Sequence, residues 1–307
     1  MNSHTLLATA TGLGLVVAGF HLPANAQALE GTLKKISETK TITIGHRDSS
    51  IPFSYLDDKQ QPIGYSMDLC MKVVDAVKTK LKMPDLQVKL NPVTSATRIP
   101  LMANGTIDLE CGSTTNTAER QKQVAYAPTT FVTANRFVAK KASNVKVLVD
   151  LKGKPVVSTA GTTNLRGITG LNGEKNLGMN IAVAKDHAES FLMVETGRST
   201  AFFMDDILLA SLVASSKAPN DYMIGAEAYS VEPYAIMLRR EDPQFKALVD
   251  EAIKAAMKSG DLDKLYKKWF QSPIPPKNIN LNIPMGAELK KVVANPTDSP
   301  DPAMYSK

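Results

Sequence analysis

Strand-like and helix-like hydrophobic spacing alternate along this chain, and that alternation is what most narrows its fold. Thr41 to Ile44 alternates as a strand. After Gly64, residues Met67, Leu69, Val73, Val77 and Leu81 recur at helical spacing. Val88 and Leu90 mark a second strand, a short helix runs from about Ser95 to Ala103, and Asn104-Gly105 stops it. Ile107 and Leu109 then begin a third strand. This order predicts a parallel sheet with crossover helices. In such sheets ligands collect beyond the carboxyl ends of the strands, where Arg47, Ser95, Arg98 and Ser113 lie.

Around Thr129 to Asn135 the helical signal lapses and a second unit repeats the plan. Phe137 to Ala139, Pro155 to Ser158, Ile181 to Ala184 and Ala201 to Met204 read as strands. Their exits are polar: Ala160-Gly161-Thr162-Thr163-Asn164, Lys185-Asp186-His187 and Asp205-Asp206. The chain returns from about Tyr229 through Tyr234 to Leu238. A long helix over Phe245 to Met257 follows, then a short amphipathic one with Leu262, Leu265, Tyr266 and Trp269. Residues 272–307 read as a strap over the first unit ending in a frayed terminus, with one weak helix near Ala287 to Val293.

Ile107 to Arg120 concentrates the chemistry. Gly112 ends the strand, the hydroxyl residues Ser113, Thr114, Thr115 and Thr117 follow, and a helix carrying Arg120 begins. A chain reversal at a helix start points backbone N–H groups outward, which suits an anion. A guanidinium can grip a carboxylate with two parallel hydrogen bonds. Read alone, the stretch is equally an ordinary strand-to-helix cap with a surface arginine.

Composition bounds the answer. The 307 residues have room for two domains, and 43% hydrophobic with 21% charged residues is a globular balance. The net charge of +6 comes from 36 basic against 30 acidic residues, with aromatics at 6% and no concentrated basic run, which argues against nucleic acid. Leu13 to Phe20 is almost wholly apolar and Ala24-Asn25-Ala26 has the form a signal peptidase cuts, so residues 1–26 read as a cleaved secretory signal. Met1 to His4 lacks the usual positive charge, yet the apolar run falls short of the roughly 20 residues that span a bilayer. A soluble, exported mature protein is expected. Cys70 and Cys111 fit an oxidising compartment as one disulfide, or equally as two buried thiols. Four scattered histidines suggest no metal site, and no cofactor is expected.

Several motifs carry a resemblance. Gly45-His46-Arg47-Asp48-Ser49-Ser50-Ile51-Pro52-Phe53-Ser54-Tyr55, Gly64-Tyr65-Ser66-Met67-Asp68, Asp108 through Arg120, Asp150-Leu151-Lys152-Gly153-Lys154, Ala160-Gly161-Thr162-Thr163 and Tyr266-Lys267-Lys268-Trp269-Phe270 span nearly all of the mature chain. Together they resemble the polar amino-acid class of periplasmic solute-binding proteins, which serve importers driven by ATP hydrolysis. Ser113, Thr115 and Arg120 identify the class. Arg47, Thr94-Ser95-Ala96-Thr97-Arg98 and Lys185-Asp186-His187 are similar to its glutamate/aspartate-binding subgroup. The resemblance implies an α/β fold of two lobes, each with a mostly parallel sheet, joined by two hinge strands and closing on a ligand. Lobe 1 would hold residues 27–130 and 234–307, lobe 2 residues 135–228, with hinges near 130–135 and 228–234.

The same resemblance implies roles. Arg120, helped by Ser113, Thr115 and Thr163, would take the α-carboxylate of L-glutamate or L-aspartate. Asp205 would take the ammonium, unless it merely caps the following helix. Arg47, Ser95, Arg98 and His187 would take the side-chain carboxylate, since two converging arginines repel one another unless an anion lies between them. Phe53 and Tyr55 are candidates for packing over the ligand's methylenes or for the core. The expected partner is an inner-membrane permease, and the expected state a monomer. The alternatives are a small-carboxylate dehydratase on the same scaffold, with Glu110 and Glu119 flanking the site, and a sensor module.

Overall fold

Hydrophobic spacing decides which segments pair in the computed structural model, which describes Met1 and residues 28–305. Apart from Met1, the segment read as an export signal lies outside the described residues. The first unit runs α1 (Gly31–Thr39), β1 (Thr41–His46), β2 (Ser49–Ser50), β3 (Ser54–Leu56), β4 (Pro62–Ile63), α2 (Tyr65–Leu81), β5 (Gln87–Pro92), α3 (Arg98–Ala103), β6 (Leu109–Glu110), α4 (Ala118–Gln121) and β7 (Val124–Tyr126). The second runs β8 (Phe131–Lys140), β9 (Pro155–Thr159), α5 (Thr163–Glu174), β10 (Asn180–Ala184), α6 (His187–Glu195), β11 (Ala201–Asp205), α7 (Asp206–Ser215) and β12 (Tyr222–Ile224). The chain returns through β13 (Ser230–Tyr234) to β14 (Met237–Arg239), α8 (Pro243–Lys258), α9 (Asp261–Phe270) and α10 (Ala287–Ala294).

The first sheet has the order β5-β1-β6-β14-β7, with β1 parallel to both β5 and β6. The second has the order β10-β9-β11-β8-β12, with β9 parallel to β10 and β11. The long strand β8 is antiparallel to β11 and β12, and in the first sheet β14 is antiparallel to β6 and β7, so the sheet expected to be mostly parallel is in both units a mixed one. Strand β13 lies antiparallel along the start of β8, from Ser230 opposite Asn135 to Tyr234 opposite Phe131. The chain therefore passes between the sheets twice, after β7 and after β13, along adjacent strands.

The helix between β1 and β5, α2, buries an apolar face in the core it shares with the sheet. In α2 that face is Leu69, Cys70, Val73, Val74 and Val77, all buried. Gly64 caps this helix at φ +138°, where a Cβ would meet the Phe53 carbonyl oxygen at 2.3 Å. Cys70 and Cys111 form a disulfide with a Cα–Cα distance of 6.2 Å, tying α2 to the exit of β6.

Under the two crossings lies an aromatic cluster. Phe131 stacks on Phe270 with centroids 4.9 Å apart, and Phe53 meets Tyr234 edge-on at 5.1 Å. Tyr55 packs edge-on against Trp269 and donates to the Pro275 carbonyl. Both Phe53 and Tyr55 are thus core residues; neither lines the cavity described below.

The helix read from Ser95 starts later, at Arg98, because Thr94 and Thr97 bond each other's backbone in a turn first. Helix α1 escapes a periodicity reading: of its nine residues only Leu33 and Ile36 are buried apolar side chains, and Asp242 holds Thr32 N–H at 2.6 Å. The terminus expected to fray is docked as far as residue 305. Thr129 N–H donates to the Thr297 carbonyl, and the buried Tyr305 hydroxyl contacts Thr129 Oγ1 at 2.9 Å.

Candidate functional site

Strand ends and helix starts bring the chemistry together. Arg47 follows β1, Ser95 sits in the turn before α3, and Arg98 opens that helix. Ser113 and Thr115 lie on the loop after β6, and Arg120 on α4. From the second unit come Thr163 at the start of α5, His187 at the start of α6 and Asp205 at the end of β11. Of these nine, Ser95, Arg98, Ser113, Thr115, Thr163, His187 and Asp205 line one enclosed cavity with an empty volume of about 190 Å³. Arg47 and Arg120 are not part of its lining. A larger hollow of about 930 Å³ bordered by Tyr266, Pro284 and Val293 has no buried charged side chain in its wall.

One end of the site is rich in donors. Arg47 and Arg98 are each 2% exposed. Arg98 Nη1 donates to Thr114 Oγ1 at 2.6 Å and to the Ser113 carbonyl at 3.3 Å, and Thr114 Oγ1 donates on to Glu110 Oε2. Arg47 Nη1, Arg98 Nε, Ser95 Oγ and Ser113 Oγ are buried with no protein partner. Leaving a buried donor unpaired costs about 1–3 kcal/mol, more for a charged one, so this cluster favours a guest with several lone pairs. Burial lowers the pKa of both arginines, and the Glu110 carboxylate opposes that shift. His187 is held well below the ordinary histidine value by burial and then by Arg47 and Arg98, so its imidazole is neutral at pH 7. Its Nδ1 lies 3.0 Å from Thr159 Oγ1.

The other end is acidic. Asp205 occupies the cap position of α7 but makes no side-chain capping bond. Its Oδ1 accepts from Asn164 Nδ2 at 2.6 Å, and its Oδ2 accepts from the Tyr234 hydroxyl. Burial, then the neighbouring Glu232, push its carboxyl up to about 7. Its neighbour Asp206 is occupied elsewhere, by Thr133 Oγ1 and by Arg136 Nε at 3.0 Å. The Thr163 hydroxyl donates to Glu232 Oε2 at 2.9 Å, which leaves its backbone N–H, in the first turn of α5, as its group toward an anion.

Arg120 bridges the units. Its Nη1 donates to the Thr115 carbonyl at 2.8 Å and its Nη2 to the Gly161 carbonyl at 3.1 Å. Burial and the nearby Arg98 bring it down to about 10. Asn164, Tyr234, Glu232, Thr114 and Glu110 complete the site and were not singled out as binding residues from sequence. Tyr234 has an unusual double engagement: its backbone bridges Thr115 while its hydroxyl reaches Asp205. Only its place on the returning strand was visible beforehand.

The arrangement is bipolar, with guanidinium and hydroxyl donors at one end and a carboxylate at the other. Among the described residues no group of three or more His, Cys, Asp or Glu side chains could hold a metal, and no helix is long and apolar enough to cross a membrane.

Known proteins share both the sequence and this architecture. The chain is 54% identical over 295 residues to the L-glutamate/L-aspartate-binding protein of Pseudomonas aeruginosa, covering 96% of each. It is 49% identical over 286 residues to the glutamate/aspartate import solute-binding protein of Salmonella typhimurium, covering 93% of this chain and 95% of the relative. An ABC uptake transporter substrate-binding protein from Streptococcus pneumoniae with bound histidine has the same fold. Its TM-score is 0.69 at 22% identity, over 77% of this chain and 95% of that one. The profile of one family matches residues 42–272, and on that match and these relatives the chain belongs to the bacterial extracellular solute-binding proteins, family 3.

Proposed function

We propose that this chain is a non-catalytic receptor that captures L-glutamate or L-aspartate in the periplasm and delivers it to the inner-membrane permease of an ATP-driven importer. The relatives bearing those ligands in their names cover nearly the whole chain. The observation that carries the reading is the pairing of two charge types across one enclosed cavity. Buried, partnerless donors of Arg98, Ser95 and Ser113 line it together with Asp205, and Arg47 Nη1, also buried without a partner, lies outside that lining.

An acidic amino acid has three charged points, and each needs a partner once water is expelled. Arg120, Ser113, Thr115 and the N–H groups at the start of α5 serve the α-carboxylate. Asp205 serves the ammonium, with Asn164 and Tyr234 fixing its orientation. Arg47, Arg98, Ser95 and the neutral His187 serve the side-chain carboxylate. Residues from both units contribute, so the ligand is gripped only when the two are together.

Calorimetric titration of variants tests the assignment. Asp205→Ala costs on the order of 2 to 5 kcal/mol of binding by leaving the ammonium unpaired. Arg98→Met loses acidic ligands far more than it loses melting temperature. An Asp205→Ala protein that binds as tightly as the parent contradicts the ammonium assignment. Equal loss of stability and affinity in Arg98→Met makes that arginine structural.

A further inference from the structure

Glu110 is a carboxylate in the wrong place for a site that attracts acids. It is fully buried, at 0% exposure, and it faces the donor-rich end. Its Oε2 accepts from Thr114 Oγ1 at 2.5 Å, and that hydroxyl in turn accepts from Arg98 Nη1 at 2.6 Å. Its Oε1 makes no hydrogen bond and is buried. A Cβ on Gly112 would lie 2.2 Å from Glu110 Oε1 and 2.9 Å from Arg47 Cγ, so the carboxylate and the Arg47 stem converge on one glycine. Among charged neighbours, Glu110 is the leading favourable one for both Arg47 and Arg98. The other acids near Arg47 are engaged or solvated. Asp186 caps α6 through Glu189 N–H, and the Asp48 side chain is 57% exposed.

We propose that Glu110 is a positioning and charge-setting residue that makes the side-chain subsite selective for a single negative charge; this rests on the acidic amino-acid reading above. Arg47 and Arg98 contribute two formal positive charges and Glu110 one negative, leaving one to be matched by the guest. His187, neutral, adds none. A guest end with no charge leaves an arginine uncompensated in a buried setting, and one with two charges leaves an excess anion beside Glu110. The hydroxyl relay through Thr114 lets Glu110 also fix the Arg98 guanidinium.

The test compares ratios of affinities, which a merely structural role leaves unchanged. Glu110→Gln keeps the acceptor for Thr114 and removes the charge, so discrimination of L-glutamate over L-glutamine rises about tenfold or more; Glu110→Asp stays near the parent. An unchanged or reduced ratio in Glu110→Gln overturns the inference while L-glutamate still binds the parent. A parent that ignores L-glutamate overturns this inference and the proposed function together.

The parent alone gives a second measurement, independent of whether Glu110→Gln folds. O-phospho-L-serine gains its second phosphate charge around pH 6. Its affinity relative to L-glutamate, measured at each pH to cancel titration of the protein, falls severalfold across that ionisation. A relative affinity that stays level or rises as the second charge appears overturns the inference.

Discussion

Under the proposed function, Asp205 is the residue where binding and protonation meet. Burial and Glu232 raise its carboxyl to about 7, against an ordinary value of 3.8, while Tyr234 and Asn164 pull the other way and Asp206 adds a small upward push. The folded-state value is raised, so ionising Asp205 destabilises the unliganded fold. That penalty is absent below about pH 4 and complete above about pH 7. An ammonium guest favours the ionised form, so binding near pH 6 releases a proton, and affinity falls below about pH 7 by up to tenfold per unit. Calorimetry in two buffers of different ionisation enthalpy reads the proton directly. Asp205→Asn should abolish the release; unchanged release would place the titrating group elsewhere.

At this scale the sequence was informative where a residue's place on its own element decides its role. Arg47, Ser113 and Asp205 could be placed at strand ends because the alternation of spacing showed where strands stop. Tyr234, Asn164 and Glu110 could not be assigned. Tyr234 and Asn164 reach Asp205 across 29 and 41 residues, and a tyrosine on a half-buried strand or an asparagine in a first helical turn has no local signature of such a bond. Glu110 could be placed on its strand, but its nearness to Arg47 and Arg98, both earlier in the chain, has no local signature.

Among elements, the loop that opens α5 does most to bring the units together. Gly161 has φ +74°, and a Cβ there would lie 2.6 Å from Ala96 Cα, 2.7 Å from Ala96 N and 2.7 Å from Ser95 O, all in the first unit. Its neighbours in space are backbone atoms that cannot rotate away. Gly161→Val should therefore leave each unit folded but hold them apart, lowering affinity about tenfold or more. Small-angle scattering checks it: the parent contracts on adding ligand and the variant does not. Equal contraction in both would mean the approach at Gly161 does not limit closure. The elements themselves were mostly legible, because long helices such as α2 and α8 repeat their apolar face over several turns. Short ones were not: β2, β3 and β4 have two or three residues each, too few to express a period.

For the whole molecule, the segment beyond the family match ties the site loop to a hinge strand. Asn116, next to Thr115, donates to the Asp298 carbonyl at 2.8 Å, while Thr129, just before β8, donates to the Thr297 carbonyl at 2.8 Å. Tyr305, 1% exposed, anchors the end through Ser299 and Thr129. Tyr305→Ala should cost about 3 kcal/mol of stability, read by urea unfolding. No loss would mean this tail is not held in solution. Composition hid the docking, since a Pro- and Asn-rich stretch without period looks unstructured until its backbone partners are known.

In the proposed function the two units enclose an acidic amino acid by matching its charges at both ends. Calorimetric titration of refolded, ligand-free protein with L-glutamate and L-aspartate, beside neutral and basic amino acids, tests it most directly. One site per chain is expected, with micromolar or tighter affinity for an acidic ligand, at least about 8 kcal/mol, and far weaker binding of the others. No heat with either acidic amino acid at millimolar concentration, or equal affinity for a neutral one, would contradict it.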